Sequence, residues 1–154
     1  MRHIALILGF LGLVGCGSGS TSFDGVWDGS YTSLINNCPF SVNQDINPLF
    51  PMTVSIDANN VYTVTAVDGS VATGGQGLGE GISFAAQSPT FGDYGSIAPY
   101  TCESILSEVG YLADGEDKAK VTLTVYFTTC STPSTTETPV TCGVIYYGAA
   151  DRIG

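Results

Sequence analysis

Between Lys120 and Cys130 the chain reads KVTLTVYFTTC, and this stretch narrows the possible folds more than any other. Val121, Leu123, Val125 and Phe127 fall on one face of an extended chain, with Thr122, Thr124, Tyr126 and Thr128 on the other. Strand side chains alternate in direction, so the pattern describes an antiparallel strand with one buried and one wetted face. MTVSID repeats it with Met52, Val54 and Ile56, and VYTVTAV follows a turn at residues 57–60. Asp68-Gly69 is a two-residue type I′ hairpin signal, and Asp114-Gly115 opens another turn. Residues 26–34 and 142–151 read as the first and last strands, and GISFAAQ as one between. The segment 103–112 is ambiguous, reading as a strand or as a helical turn or two. No long stretch has an apolar period of 3.6. About eight strands joined in sequence predict an all-β domain, a single antiparallel up-and-down β-barrel, with a compact β-sandwich as the alternative. Closure is preferred because it removes exposed edges, which this chain has few lysines to guard.

The first residues belong to a different kind of segment. Met1-Arg2-His3 carries positive charge, and residues 4–14 are mostly apolar. That run is too short for a membrane helix, which needs about 20 residues, but it suits the core of a signal peptide. Leu13-Val14-Gly15-Cys16 resembles the lipobox of bacterial lipoproteins. The resemblance implies a signal peptide at 1–15, cleavage before Cys16, and acyl chains on Cys16 that anchor the protein in a membrane. Gly17, where an Asp would favour the inner membrane, implies an outer-membrane address in the bacterial cell envelope. Residues 16–22 then form a flexible Gly/Ser tether, and 23–154 the barrel domain.

Cleavage also decides the chemistry available. His3 is the sole histidine and leaves with the signal, which removes Ser-His and Cys-His pairs and His-ligated metals. Three basic residues, Lys118, Lys120 and Arg152, remain against 14 acidic ones, a balance that repels nucleic acid. GGQGLGEG (74–81) lacks the lysine and helix of a phosphate loop, and no cofactor is implied. Asp114, Glu116 and Asp117 cluster in a turn as a weak Ca²⁺ candidate without EF-hand spacing. Asp28, Glu80, Glu103 and Glu108 are the carboxylates from which a glycosidase pair would be drawn, but no spacing brings two together. The expectation is a non-enzyme.

With Cys16 lipidated, Cys38, Cys102, Cys130 and Cys142 remain, and an oxidising compartment makes two disulfides of them. No C-x₂₋₄-C spacing supports a zinc site. Cys130 ends one strand and Cys142 begins the next, so a bridge across that hairpin neck is expected, worth about 3 kcal/mol. Cys38–Cys102 follows by elimination.

Gly25-Val26-Trp27 opens the first strand. A G-x-W there resembles lipocalins and related small barrels, in which the Trp closes the barrel floor under a late Arg. The resemblance implies that Arg152 packs across Trp27. Two long loops, 36–50 and 87–101, carry Phe40, Phe50, Phe91, Tyr94 and Tyr100, and are expected to rim an open end. A third, Thr/Pro-rich loop at 131–141 has little to bury. The functional expectation is a binding module for a small apolar ligand or a partner protein. A filled structural barrel that docks on an envelope protein is the alternative.

Overall fold

The computed structural model describes residues 23–76, 83–89, 91–134 and 136–154. Cys16, the signal and the tether lie outside the described residues, as do Glu80 and most of the glycine stretch at 74–81. The strands are β1 (Gly25–Asn36), β2 (Met52–Ile56), β3 (Tyr62–Thr65), β4 (Val71–Gln76), β5 (Ser83–Ser88), β6 (Thr101–Ala113), β7 (Lys118–Ser131) and β8 (Val140–Arg152). Each pairs antiparallel with the next and β8 pairs with β1, closing an up-and-down barrel. The ambiguous segment 103–112 is strand, because Val109 and Tyr111 alternate inward against Leu123 and Val121 of β7.

The wall is uneven. β1, β6, β7 and β8 have 12 to 14 residues, whereas β2 to β5 have four to six. The lower end holds the start of β1, the ends of β6 and β8 and the start of β7, so the long strands overshoot the short ones at the upper end. Their upper inner surface carries Val125, Phe127, Val144 and Tyr146, which the short strands do not reach. The two long loops cover it instead.

Two turns differ in detail from the sequence reading. Asp68-Gly69 belongs to a three-residue connection, Val67 to Gly69, closed by the Ala66 N–H to Ser70 carbonyl bond, with Gly69 left-handed at φ 88°. A three-residue hairpin with a left-handed last residue matches strand twist as a type I′ turn does. At 57–61, Asn60 takes the left-handed position (φ 59°) while Asp57 accepts the Val61 and Asn59 N–H groups. Those bonds hold the Asp57 carboxyl below its ordinary pKa.

The cysteine pairing is corrected. The bridges are Cys38–Cys142 and Cys102–Cys130, in place of Cys130–Cys142 and Cys38–Cys102. Register explains it. The β7–β8 ladder sets Cys142 opposite Phe127, and a bulge at left-handed Thr129 (φ 50°) then sets Cys130 opposite Val140. Cys102 lies directly across from Cys130 on β6, with Cα atoms 3.9 Å apart. Beyond β1, the Asn37 N–H bonds the Gly143 carbonyl and carries Cys38 to Cys142.

Candidate functional site

The lower end of the lumen is closed by aromatic rings. Trp27 is fully buried and its Nε1 donates to the Phe23 carbonyl at 2.8 Å. Phe23 packs on Trp27, Tyr62 and Tyr111 with centroids 6.0 to 6.4 Å apart. The Arg152 guanidinium carbon lies 5.0 Å from the Trp27 ring centroid, and its Nε is 3.7 Å from Asp117. Arg152 is opposite Trp27 in the β1–β8 ladder, which is why a late arginine finds this ring. Gly25 has φ 135°, and a Cβ there would meet the Gly154 carbonyl oxygen at 2.5 Å, so the first residue of the G-x-W triplet has to be glycine.

The upper end is closed by the long loops. Phe40, Phe50 and Phe91 are 7 %, 8 % and 0 % exposed, so the expectation of an aromatic rim around an opening is corrected. Phe127 is stacked edge-on by Phe40 at 5.1 Å and by Tyr94 at 6.0 Å, and Phe50 packs on Tyr31 at 5.3 Å. Tyr100, half-buried, covers Phe40 at 5.1 Å. Polar groups pin the loops down. The Tyr146 hydroxyl donates to the Asn43 carbonyl (2.6 Å), Asn47 Oδ1 accepts the Tyr31 N–H (2.7 Å), and Tyr94 and Ser107 bond each other and the Phe91 carbonyl. An apolar loop residue gains by burial wherever the short strands leave the inner wall bare, and that gain orders the loops.

Between these closures the lumen is packed with Met52, Val54, Val64, Val109, Leu123 and Tyr31, all buried. Burial pushes the Tyr31 and Tyr111 phenols well above their ordinary pKa, Tyr31 being raised further by Tyr111. Burial pushes Tyr146 up to about 12, with Tyr94 adding to it, and raises Tyr94 itself.

One hollow bordered by the described residues, about 720 Å³, is an open groove on the outer surface of β6, β7, β8 and β1. Leu112 (43 % exposed) and Tyr147 (38 %) stand over it, with Thr122 between them. Gly110 pairs with Thr122 and Thr122 with Tyr147, so a residue without a side chain lowers the floor beside an aromatic wall. Asp114 and Lys120 close the lower rim and face each other at 3.8 Å. Ile35, Leu106 and Tyr126 are further exposed apolar residues of β1, β6 and β7. A smaller hollow of about 160 Å³ at the upper end is edged by Asp45, Asp68 and Asp93, each bonded to a backbone N–H two residues on.

The groove was not foreseen in the sequence. Its signal is the apolar residue on the nominally polar face, seen in consecutive Tyr146-Tyr147 and in Leu112 beside Tyr111. The Ca²⁺ candidate is corrected: Asp114 faces Lys120 and Asp117 faces Arg152, and among the described residues no three acidic, Cys or His side chains form a metal cluster. Asp28 and Glu103 are exposed, and Glu108 accepts a bond from Gln87 at 2.8 Å.

Fold and site together define a closed eight-stranded antiparallel barrel with an interior of buried apolar side chains and an apolar groove on its outer wall. No family model, curated protein or solved structure matches this chain.

Proposed function

We propose that this protein is a lipid-anchored, non-enzymatic component of the bacterial cell envelope that acts through the outside of a filled barrel, engaging an apolar group or an envelope protein there. The observation that carries this reading is the packed lumen, closed by Phe23, Trp27 and Tyr111 below and by Phe40, Phe50 and Phe91 above. A small-molecule site needs roughly 300–1,000 Å³, and the outer groove is a hollow of that size. The anchor rests on the lipobox-like Leu13-Val14-Gly15-Cys16, and the outer-membrane address on Gly17.

Two measurements test it. Cys16→Ser is expected to abolish acyl labelling and leave the precursor uncleaved; continued labelling overturns the anchor. Native mass spectrometry of the protein purified from its own envelope is expected to give the acylated chain without an enclosed ligand. A ligand released only on unfolding overturns the filled-barrel reading.

A further inference from the structure

We infer that the outer groove seats one long alkyl chain of the protein itself, an acyl chain carried on Cys16. The inference rests on the lipobox reading and adds the place that chain occupies when no bilayer is at hand.

The chemistry of the groove favours such an occupant. Its walls are Leu112, Tyr147 and Ala149, with the methyl-bearing Thr32 and Thr122, above a floor opened by Gly110. The charges at its edge, Asp114 and Lys120, are directed at each other across the lower rim. An unbranched apolar chain asks for no polar partners and matches a lining of this kind.

Position favours the protein's own chain over a free lipid. Three of the groove's strands, β7, β8 and β1, run together at the lower end, where the described chain begins at Phe23. Ala149 is three residues above Arg152, which pairs with Trp27, placing the groove about 10 Å up the wall. Seven residues separate Cys16 from Phe23, and an extended chain of that length reaches about 23–25 Å. An acyl group on Cys16 therefore reaches the groove, and the tether holds it at high effective concentration there.

The seat competes with a membrane only in water. A bilayer buries each methylene at least as fully as an open groove does, so the chain leaves the groove when the protein inserts. Away from a bilayer, seating it covers Leu112 and Tyr147 and the alkyl chain together.

The test uses the full acylated protein. Cells are fed a fatty acid bearing a diazirine, and the lipoprotein is purified, moved to detergent-free buffer as a mixture of light and ¹⁵N-labelled molecules, and irradiated. The expected result is cross-linking within single molecules, from the acyl chain to the segments holding Leu112 and Tyr147. Leu112→Glu and Tyr147→Glu are each expected to lower that yield about tenfold, a factor worth about 1.4 kcal/mol. Leu106→Glu, outside the groove lining, is expected to leave it unchanged. Thr122→Trp, which fills the groove with a bulky apolar side chain, gives the same loss without adding charge and guards against a misfolded Glu variant. Cross-links scattered over the surface, found only between light and heavy molecules, or insensitive to these variants overturn the inference. Absence of acyl label on the wild type overturns the lipobox reading and this inference with it, whereas label without groove cross-links overturns this inference alone.

Discussion

Trp27 combines the functions of core residue, hydrogen-bond donor and cation partner in one side chain. Truncating it removes a fully buried ring and the bond from its Nε1 to the Phe23 carbonyl, and bares the floor under Arg152. Trp27→Ala is expected to cost about 3–5 kcal/mol in urea unfolding. Arg152→Met keeps the aliphatic cover but loses the charge, and is expected to cost about 0.5–2 kcal/mol. A double-mutant cycle of the two checks the pairing: a coupling energy near zero shows that the cation adds nothing to the ring. The Asp117 contact is with an exposed carboxylate and adds little, since surface ion pairs contribute about 0–1 kcal/mol. Gly25-Val26-Trp27 and Arg152 were legible as a motif in the sequence. That they meet is a consequence of β1–β8 register, which a linear pattern of alternation does not contain.

Among the elements, the β1–β8 seam decides whether the barrel closes. Gly148 pairs with Tyr31, and a Cβ at 148 would stand 2.0 Å from the Ser30 carbonyl oxygen. Gly29 is similarly confined, 2.3 Å from the Ala149 carbonyl oxygen. The two strands cross this closely because neither position carries a side chain, just where a bulge after Tyr31 bends β1. Gly148→Val is expected to cost about 3 kcal/mol or more, since backbone has to move to admit it. Gly75→Val, with open space around its Cβ, is expected to be neutral or slightly stabilising, because a β-branched residue suits a strand. Denaturant midpoints compare the two directly. The disulfides belong to the same scale. Non-reducing peptide mapping is expected to give Cys38–Cys142 and Cys102–Cys130. Breaking the first by paired Ser substitution is expected to cost more than breaking the second, since their sequence separations are 104 and 28 residues; in the chain-entropy view these are worth about 5 and 3.5 kcal/mol. The second pairing was within reach of the sequence: Cys102 and Cys130 are equidistant from Glu116, in the turn that Asp114-Gly115 opens. The first was not, because it joins the end of β1 to the start of β8 through the closure of the barrel.

For the molecule as a whole, the titration of tyrosine reports on the packing. The phenols of Tyr31, Tyr111 and Tyr146 are all raised above the ordinary value near 10. In the unfolded chain they ionise from about pH 10, whereas in the barrel they hold their protons longer. The folded state is therefore favoured fully below pH 10, and the advantage is lost as pH climbs from about 10 toward 12 and beyond. Stability is expected to fall steeply in that window, with Trp27 fluorescence reporting the unfolding. Tyrosinate absorbance from the lumen phenols is expected to rise only as the barrel opens. A single step centred near pH 10 contradicts a packed interior. At the same scale, the Lys and Arg side chains among the described residues, Lys118, Lys120 and Arg152, are all at the lower end, each within 4 Å of an aspartate.

Alternation in the sequence was enough to determine an all-β chain of about eight consecutive antiparallel strands, because which face of a strand is buried is a local property of every second residue. Residue types alone also determined that residues 16–154 contain no histidine. Tertiary structure decided the rest. The aromatic loops read as an open rim, and became a plug because long and short strands share one barrel and leave bare wall that only loop side chains can cover. The cysteines found partners by register across the sheet, where nearness along the chain counts for less than position in the ladder. The groove exists because outward residues of four strands come together when the sheet closes.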